Sequence, residues 1–101
     1  MQATNVTLVT IIAEGVLRDR LIDDLTRLGA RGYTVQGEVH GRGARGVTEQ
    51  FWHGSQVRIE TLVSAAVAEK ILHHLQDAYF ADYSVVAYAA DVRVMRPEKY
   101  A

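Results

Sequence analysis

Apolar residues follow two spacings along this chain, and the switches between them mark its elements. Residues 5–12 (NVTLVTII) are rich in β-branched side chains and predict a strand. Leu17, Leu21, Leu25 and Leu28 then recur at helical spacing. Arg18, Asp19, Asp23, Asp24 and Arg27 fall between them, and the two adjacent aspartates read as part of the solvated face. Gly29 is placed to end this helix as a left-handed cap. Residues 33–39 predict a second strand, 41–54 a loop, and the alternating 56–63 a third strand. Ser64 is a helix N-cap candidate, followed by Ala68, Ile71, Leu72, Leu75 and Ala78 on one face. Residues 83–95 predict a fourth strand, with Asp82 as a turn-capping residue before it. Pro97 ends regular structure and leaves a tail at 96–101. The order βαββαβ is the α+β, ferredoxin-like arrangement: a four-stranded antiparallel sheet with two helices on one face.

The first and last strands carry a second message. In the last strand Val86, Tyr88, Ala90, Val92 and Val94 share one face. Val85, Ala87, Ala89 and Met95 share the other, interrupted by Asp91 and Arg93. The first strand repeats this with Val6, Leu8 and Ile12 against Val9 and Ile11. Two helices cover one face of such a sheet, and a water-facing antiparallel face should alternate with polar residues. The apolar second face therefore predicts cover by further copies of the chain.

Composition narrows the classes. The 101 residues suit one domain, 1–101, that gains from assembly. A net charge of −1 gives no general field for nucleic acid, which is not an expected partner. With no cysteine, disulfides, thiolate catalysis and cysteine-ligated metal are excluded. Neither a signal peptide nor a membrane span is read at the N-terminus, so the expected location is the cytoplasm.

The most distinctive chemistry is Gly41-Arg42-Gly43-Ala44-Arg45-Gly46. Glycine lets backbone N–H groups approach an anion, and arginine adds planar forks of positive charge. The pattern matches neither a P-loop nor a dinucleotide fingerprint. Residue types alone leave two readings open, a phosphate-binding loop and a hairpin loop with solvated arginines.

Three segments in order, Gly29-Ala30-Arg31-Gly32-Tyr33-Thr34-Val35, Gly41-Arg42-Gly43-Ala44-Arg45 and Tyr79-Phe80-Ala81-Asp82-Tyr83-Ser84, resemble the PII signalling superfamily. The chain looks most like its PII-like branch linked to bicarbonate uptake and carboxysomes, the CPII and SbtB proteins. The resemblance implies a homotrimer that binds adenine nucleotides in clefts between subunits. ADP or AMP is the expected ligand, with ATP and cyclic AMP left open. Gly32 and Thr34 fall where the family contacts adenine. Gly41, Arg42, Gly43 and Arg45 fall on the phosphate-binding start of the T-loop, here about 41–55. Tyr83, Ser84 and Val85 fall on the B-loop side of the cleft. Arg96 falls near a C-terminal phosphate-facing arginine, with Arg93 as the alternative. Bicarbonate beside the phosphates would be met by Arg45 and Gly43. The implied role is regulation rather than catalysis, with no catalytic residue and no metal. A bicarbonate transporter or carboxysome-linked protein is the implied partner, which would draw the chain to the carboxysome or to a membrane transporter.

The chain also departs from the family. Only residues 46–55 separate Arg45 from the third strand, too few for the long arm and modified tyrosine of nitrogen regulators. The cysteine-containing hairpin of the SbtB branch is missing, so hydrolysis linked to it is not expected. Glu69, His73 and Asp77 share a helix face but read as solvated, His74 borders the apolar stripe, and His40 is a weak candidate anion donor. Phe51 and Trp52 suit either a docking arm or a pair folded onto the sheet. The alternatives to a PII-like regulator are a trimeric CutA-like metal-binding protein and a small ferredoxin-like enzyme such as an acylphosphatase. The absent cysteine weakens the first, and Arg18 and Arg20 lack the asparagine context the second needs. An RNA-recognition module would need aromatic residues on strands one and three, which have none.

Overall fold

The computed structural model describes residues 4–39 and 55–95. The elements are β1 (Thr4–Glu14), a 3-10 turn (Gly15–Leu17), α1 (Arg18–Leu28), β2 (Thr34–Val39), β3 (Gln56–Val63), α2 (Ala65–Ala78) and β4 (Val86–Val94). The strands form one antiparallel sheet in the order β2-β3-β1-β4. This is the ferredoxin-like arrangement expected from the sequence. No helix among the described residues is long and apolar enough to cross a membrane.

Alternation along β1 and β3 decides where the core lies. Val9, Ile11 and Ala13 pair in register with Thr61, Ile59 and Val57, so these side chains share one face. The helices close over that face with Leu21 and Leu25 from α1 and Ala68, Ile71 and Leu75 from α2. Each fully buried aliphatic side chain stabilises the fold by roughly 1.5–3 kcal/mol. Tyr79, just beyond α2, is completely buried in the same cluster.

Local chemistry sets the helix ends. Gly29 caps α1 with φ of 116°, in the left-handed region where a side chain would be strained. The Ser64 hydroxyl accepts from the Val67 amide at 3.2 Å, capping α2 as expected. Gly15 answers a different need, because a Cβ there would lie 2.8 Å from the Ser55 carbonyl oxygen. Its amide donates to that oxygen at 2.7 Å, so the chain entering β3 passes against the end of β1.

The observed bounds differ from those read in the sequence, and the causes are visible. β1 is longer than 5–12 because Thr4 pairs with Val94 at one end, and Ala13 and Glu14 pair with β3 at the other. The last strand begins at Val86 rather than at 83, because the Tyr83 and Val85 amides are spent inside the preceding turn. The larger correction is Asp24. Read as part of a solvated face, it is buried between the helices.

Candidate functional site

Glu14, Val39, Gln56 and Val86 all fall at one end of the sheet. The 40–54 connection leaves and re-enters there, and the turn carrying Tyr83, Ser84 and Val85 leads into β4 at the same end. Tyr83 is half-buried, with its ring 5.9 Å from that of Tyr79, and its hydroxyl accepts from Arg20 at 3.5 Å. Ser84 is exposed, and Val85 packs against the core.

Gly32 and Thr34 lie elsewhere. Both are exposed at the start of β2. The Gly32 carbonyl accepts from the buried Thr61 hydroxyl at 2.6 Å, which ties this segment to β3. Thr34 stands opposite Glu60. β2 and β4 are the two edge strands, so these residues and the 83–85 turn are separated by the width of the sheet. Three inter-strand spacings come to about 14 Å. Gly41, Arg42, Gly43, Arg45 and Arg96 lie outside the described residues, as do His40, Phe51 and Trp52. Arg93, the alternative to Arg96, is exposed on β4.

Behind the 83–85 turn sits a polar cluster that the sequence reading did not assemble. The Asp24 Oδ2 accepts from the Tyr79 hydroxyl and lies 2.9 Å from His74 Nε2. Its Oδ1 accepts from Arg27 at 2.9 Å. Burial alone would push the Asp24 carboxyl up, but the Tyr79 and His74 hydrogen bonds and the electrostatic attraction of His74 and Arg27 outweigh it. The net result is a carboxyl held below its ordinary value. The Tyr79 hydroxyl is pushed well above its ordinary value, first by burial and then by bonding to the Asp24 carboxylate. Arg20 lies over the Tyr79 ring, with its guanidinium carbon 4.5 Å from the centroid. The helical spacing of Arg20, Asp24 and Arg27 was the available signal; the partners 50 and 55 residues away were not.

Glu69 and His73 form an exposed pair at 3.8 Å. Among the described residues no three histidine, cysteine, aspartate or glutamate side chains converge on a metal position.

The family model for nitrogen regulatory protein P-II matches residues 6–99. The chain belongs to the P-II family. That match settles the choice among ferredoxin-like alternatives in favour of a PII-like regulatory fold. The P-II chain is 46% identical to TTHA0516 of Thermus thermophilus, whose description is of PII-like signalling, over 100% of both chains with a TM-score of 0.86. CPII of Thiomonas intermedia K12, solved with ADP and bicarbonate, is 28% identical over 99% of this chain and 98% of its own, with a TM-score of 0.86. The same Thiomonas protein with ADP, AMP and acetate aligns at 25% identity over 99% of this chain and 98% of its own, with a TM-score of 0.84. No curated protein sequence matches.

Proposed function

We propose that this P-II chain is a cytoplasmic homotrimeric regulator that binds ADP or AMP between subunits, together with bicarbonate. The observation that carries the proposal is the separation of the two expected contact sets. Gly32 and Thr34 belong to one edge of the sheet and Tyr83, Ser84 and Val85 to the other. A nucleotide held by both sets meets them most simply where the β2 edge of one subunit faces the β4 edge of the next. The open face of the sheet supports the same assembly. Val86 is 55% and Tyr88 46% exposed there, beside the half-buried Leu8, Ile12, Leu62 and Val92. Thr10 Oγ1 and Arg58 Nε, on that same face, are buried with no hydrogen-bond partner among the described residues. A neighbouring subunit would supply the missing apolar cover.

In this reading the 41–55 loop closes on the phosphates, with Gly41, Arg42, Gly43 and Arg45 as donors and Arg96 approaching from the tail. Arg45 and the Gly43 amide also hold bicarbonate. Ligand identity is supported by the Thiomonas relative, which holds ADP with bicarbonate. No bond need be made or broken, because ligand binding that selects one loop conformation is itself a signal. The signal would go to a bicarbonate transporter or a carboxysome-linked protein and so regulate inorganic carbon uptake or carboxysome-linked metabolism.

Titration calorimetry of the nucleotide-free protein with ADP, at matched pH and ionic strength with and without bicarbonate, tests the reading. ADP binding that tightens with bicarbonate is expected, and each ligand must then raise the other's affinity by the same factor. Binding indifferent to bicarbonate removes the carbon-sensing part. Absence of ADP, AMP and ATP binding overturns the whole reading.

A further inference from the structure

Tyr79 is tied at every part of the residue. Its amide donates to the Leu75 carbonyl at 3.0 Å, continuing α2. Its carbonyl accepts from the amides of Asp82 at 3.1 Å and Tyr83 at 2.9 Å, which shapes the turn. Arg20 lies over its ring, the Tyr83 ring meets it at a tilt of 50° with centroids 5.9 Å apart, and His74 meets it edge-on with centroids 5.8 Å apart. Its hydroxyl reaches Asp24 on α1. Asp24 in turn gathers His74 from α2 and Arg27 from its own helix. One carboxylate therefore clamps both helices to the turn that leads into β4.

Packing alone does not require such a cluster. An apolar pair of the same volume would fill this space without the cost of removing a carboxylate from water. A polar cluster adds direction, because hydrogen bonds fix the ring's position as well as its burial. Tyr83 inherits that position twice, through the Tyr79 carbonyl and through ring contact. The Val85 amide closes on the Tyr83 carbonyl at 3.0 Å and carries the constraint to the start of β4.

We propose that Asp24 and Tyr79 are positioning residues for the nucleotide site, holding the 79–85 turn in the pose that presents Tyr83, Ser84 and Val85 to the ligand. This rests on the nucleotide reading above, and the test separates the two. Tyr79→Phe keeps the ring and removes only the hydroxyl; Asp24→Asn keeps the shape and removes the charge. Either change weakens ADP binding by about tenfold, the scale of one charge-assisted hydrogen bond. Amide hydrogen exchange at Tyr83 and Val85 accelerates in the same variants, while exchange along β1 stays as in the parent. Ser64→Ala, at the far end of α2, is the control: it lowers the melting temperature and leaves the ADP dissociation constant within about twofold. Because the two residues share the Asp24–Tyr79 hydrogen bond, the double variant loses less ADP affinity than the two single losses added together.

An unchanged dissociation constant in both variants, with the parent binding ADP, overturns the positioning role. So does weakening accompanied by faster exchange throughout the molecule, which marks general destabilisation. If the parent does not bind ADP, the nucleotide reading falls and the positioning role with it, while the exchange pattern still decides whether Tyr79 holds the turn.

Discussion

The two faces of the sheet are built from the same strands and meet different fates. Ile11 and Ile12 are neighbours on β1. Ile11 is completely buried under the helices, whereas Ile12 is half-buried on the face no helix covers. On the helix face even the polar atoms are engaged, and Asp24 has three side-chain donors around it. On the open face Thr10 Oγ1 and Arg58 Nε have no hydrogen-bond partner among the described residues. A buried polar group left unpaired costs about 1–3 kcal/mol. The helix face is closed within one chain, whereas the open face keeps exposed apolar side chains and two buried polar atoms without partners among the described residues.

Substitutions on the two faces should separate these roles. Ile11→Ala should cost about 2–5 kcal/mol of unfolding free energy, because it leaves a cavity in the packed core. Chemical denaturation at several protein concentrations measures this, and a cost below about 1 kcal/mol would break the comparison. Leu8→Asp places a carboxylate between Leu62 and Ala90 on the open face. The monomer can hydrate it, but a trimer would have to bury it, at several kcal/mol per ion. Light scattering should show the mass falling to that of one chain while circular dichroism keeps its native form. A mass unchanged by the substitution would remove the open face from the assembly.

The smallest effect sharpens the helix side and appears as slopes in stability against pH. The Asp24 carboxyl is held below its ordinary value of 3.8 in the fold. Its stabilisation is therefore full above that value and is lost as pH falls through the depressed folded value. Tyr79 is shifted the other way, above its ordinary value of 10.0. Its contribution is full below pH 10 and is lost as pH rises from there towards the folded value. Asp24→Asn should flatten the acid limb and Tyr79→Phe the alkaline limb, read by thermal melting across pH. Limbs identical to the parent's would place the titrating groups elsewhere.

Most of the fold was legible because its determinants are local. Runs of β-branched residues or period-two alternation marked the strands, helical spacing marked both helices, Gly29 marked the end of α1, and Ser64 marked the start of α2. The family resemblance was legible in three short segments, because their order along the chain is specific even though each is short. Asp24 was misread because its own helix surrounds it with charge. Arg20, Asp23 and Arg27 suggest a solvated face, and nothing local announces that His74 and Tyr79 arrive from the second helix. Residues 83–85 read as the start of the last strand, whereas the Tyr83 and Val85 amides are committed to a turn.

The sequence by itself determined the elements, their order and the helix-covered face, because each depends on spacing within a few residues. Only the tertiary structure decided that Gly32 and Thr34 stand at the opposite edge of the sheet from Tyr83, Ser84 and Val85. It alone decided that Asp24 is a buried hub, with partners 50 and 55 residues away. Strand order and helix packing are long-range facts, settled when the chain folds back on itself and charges that look solvated in isolation find their donors.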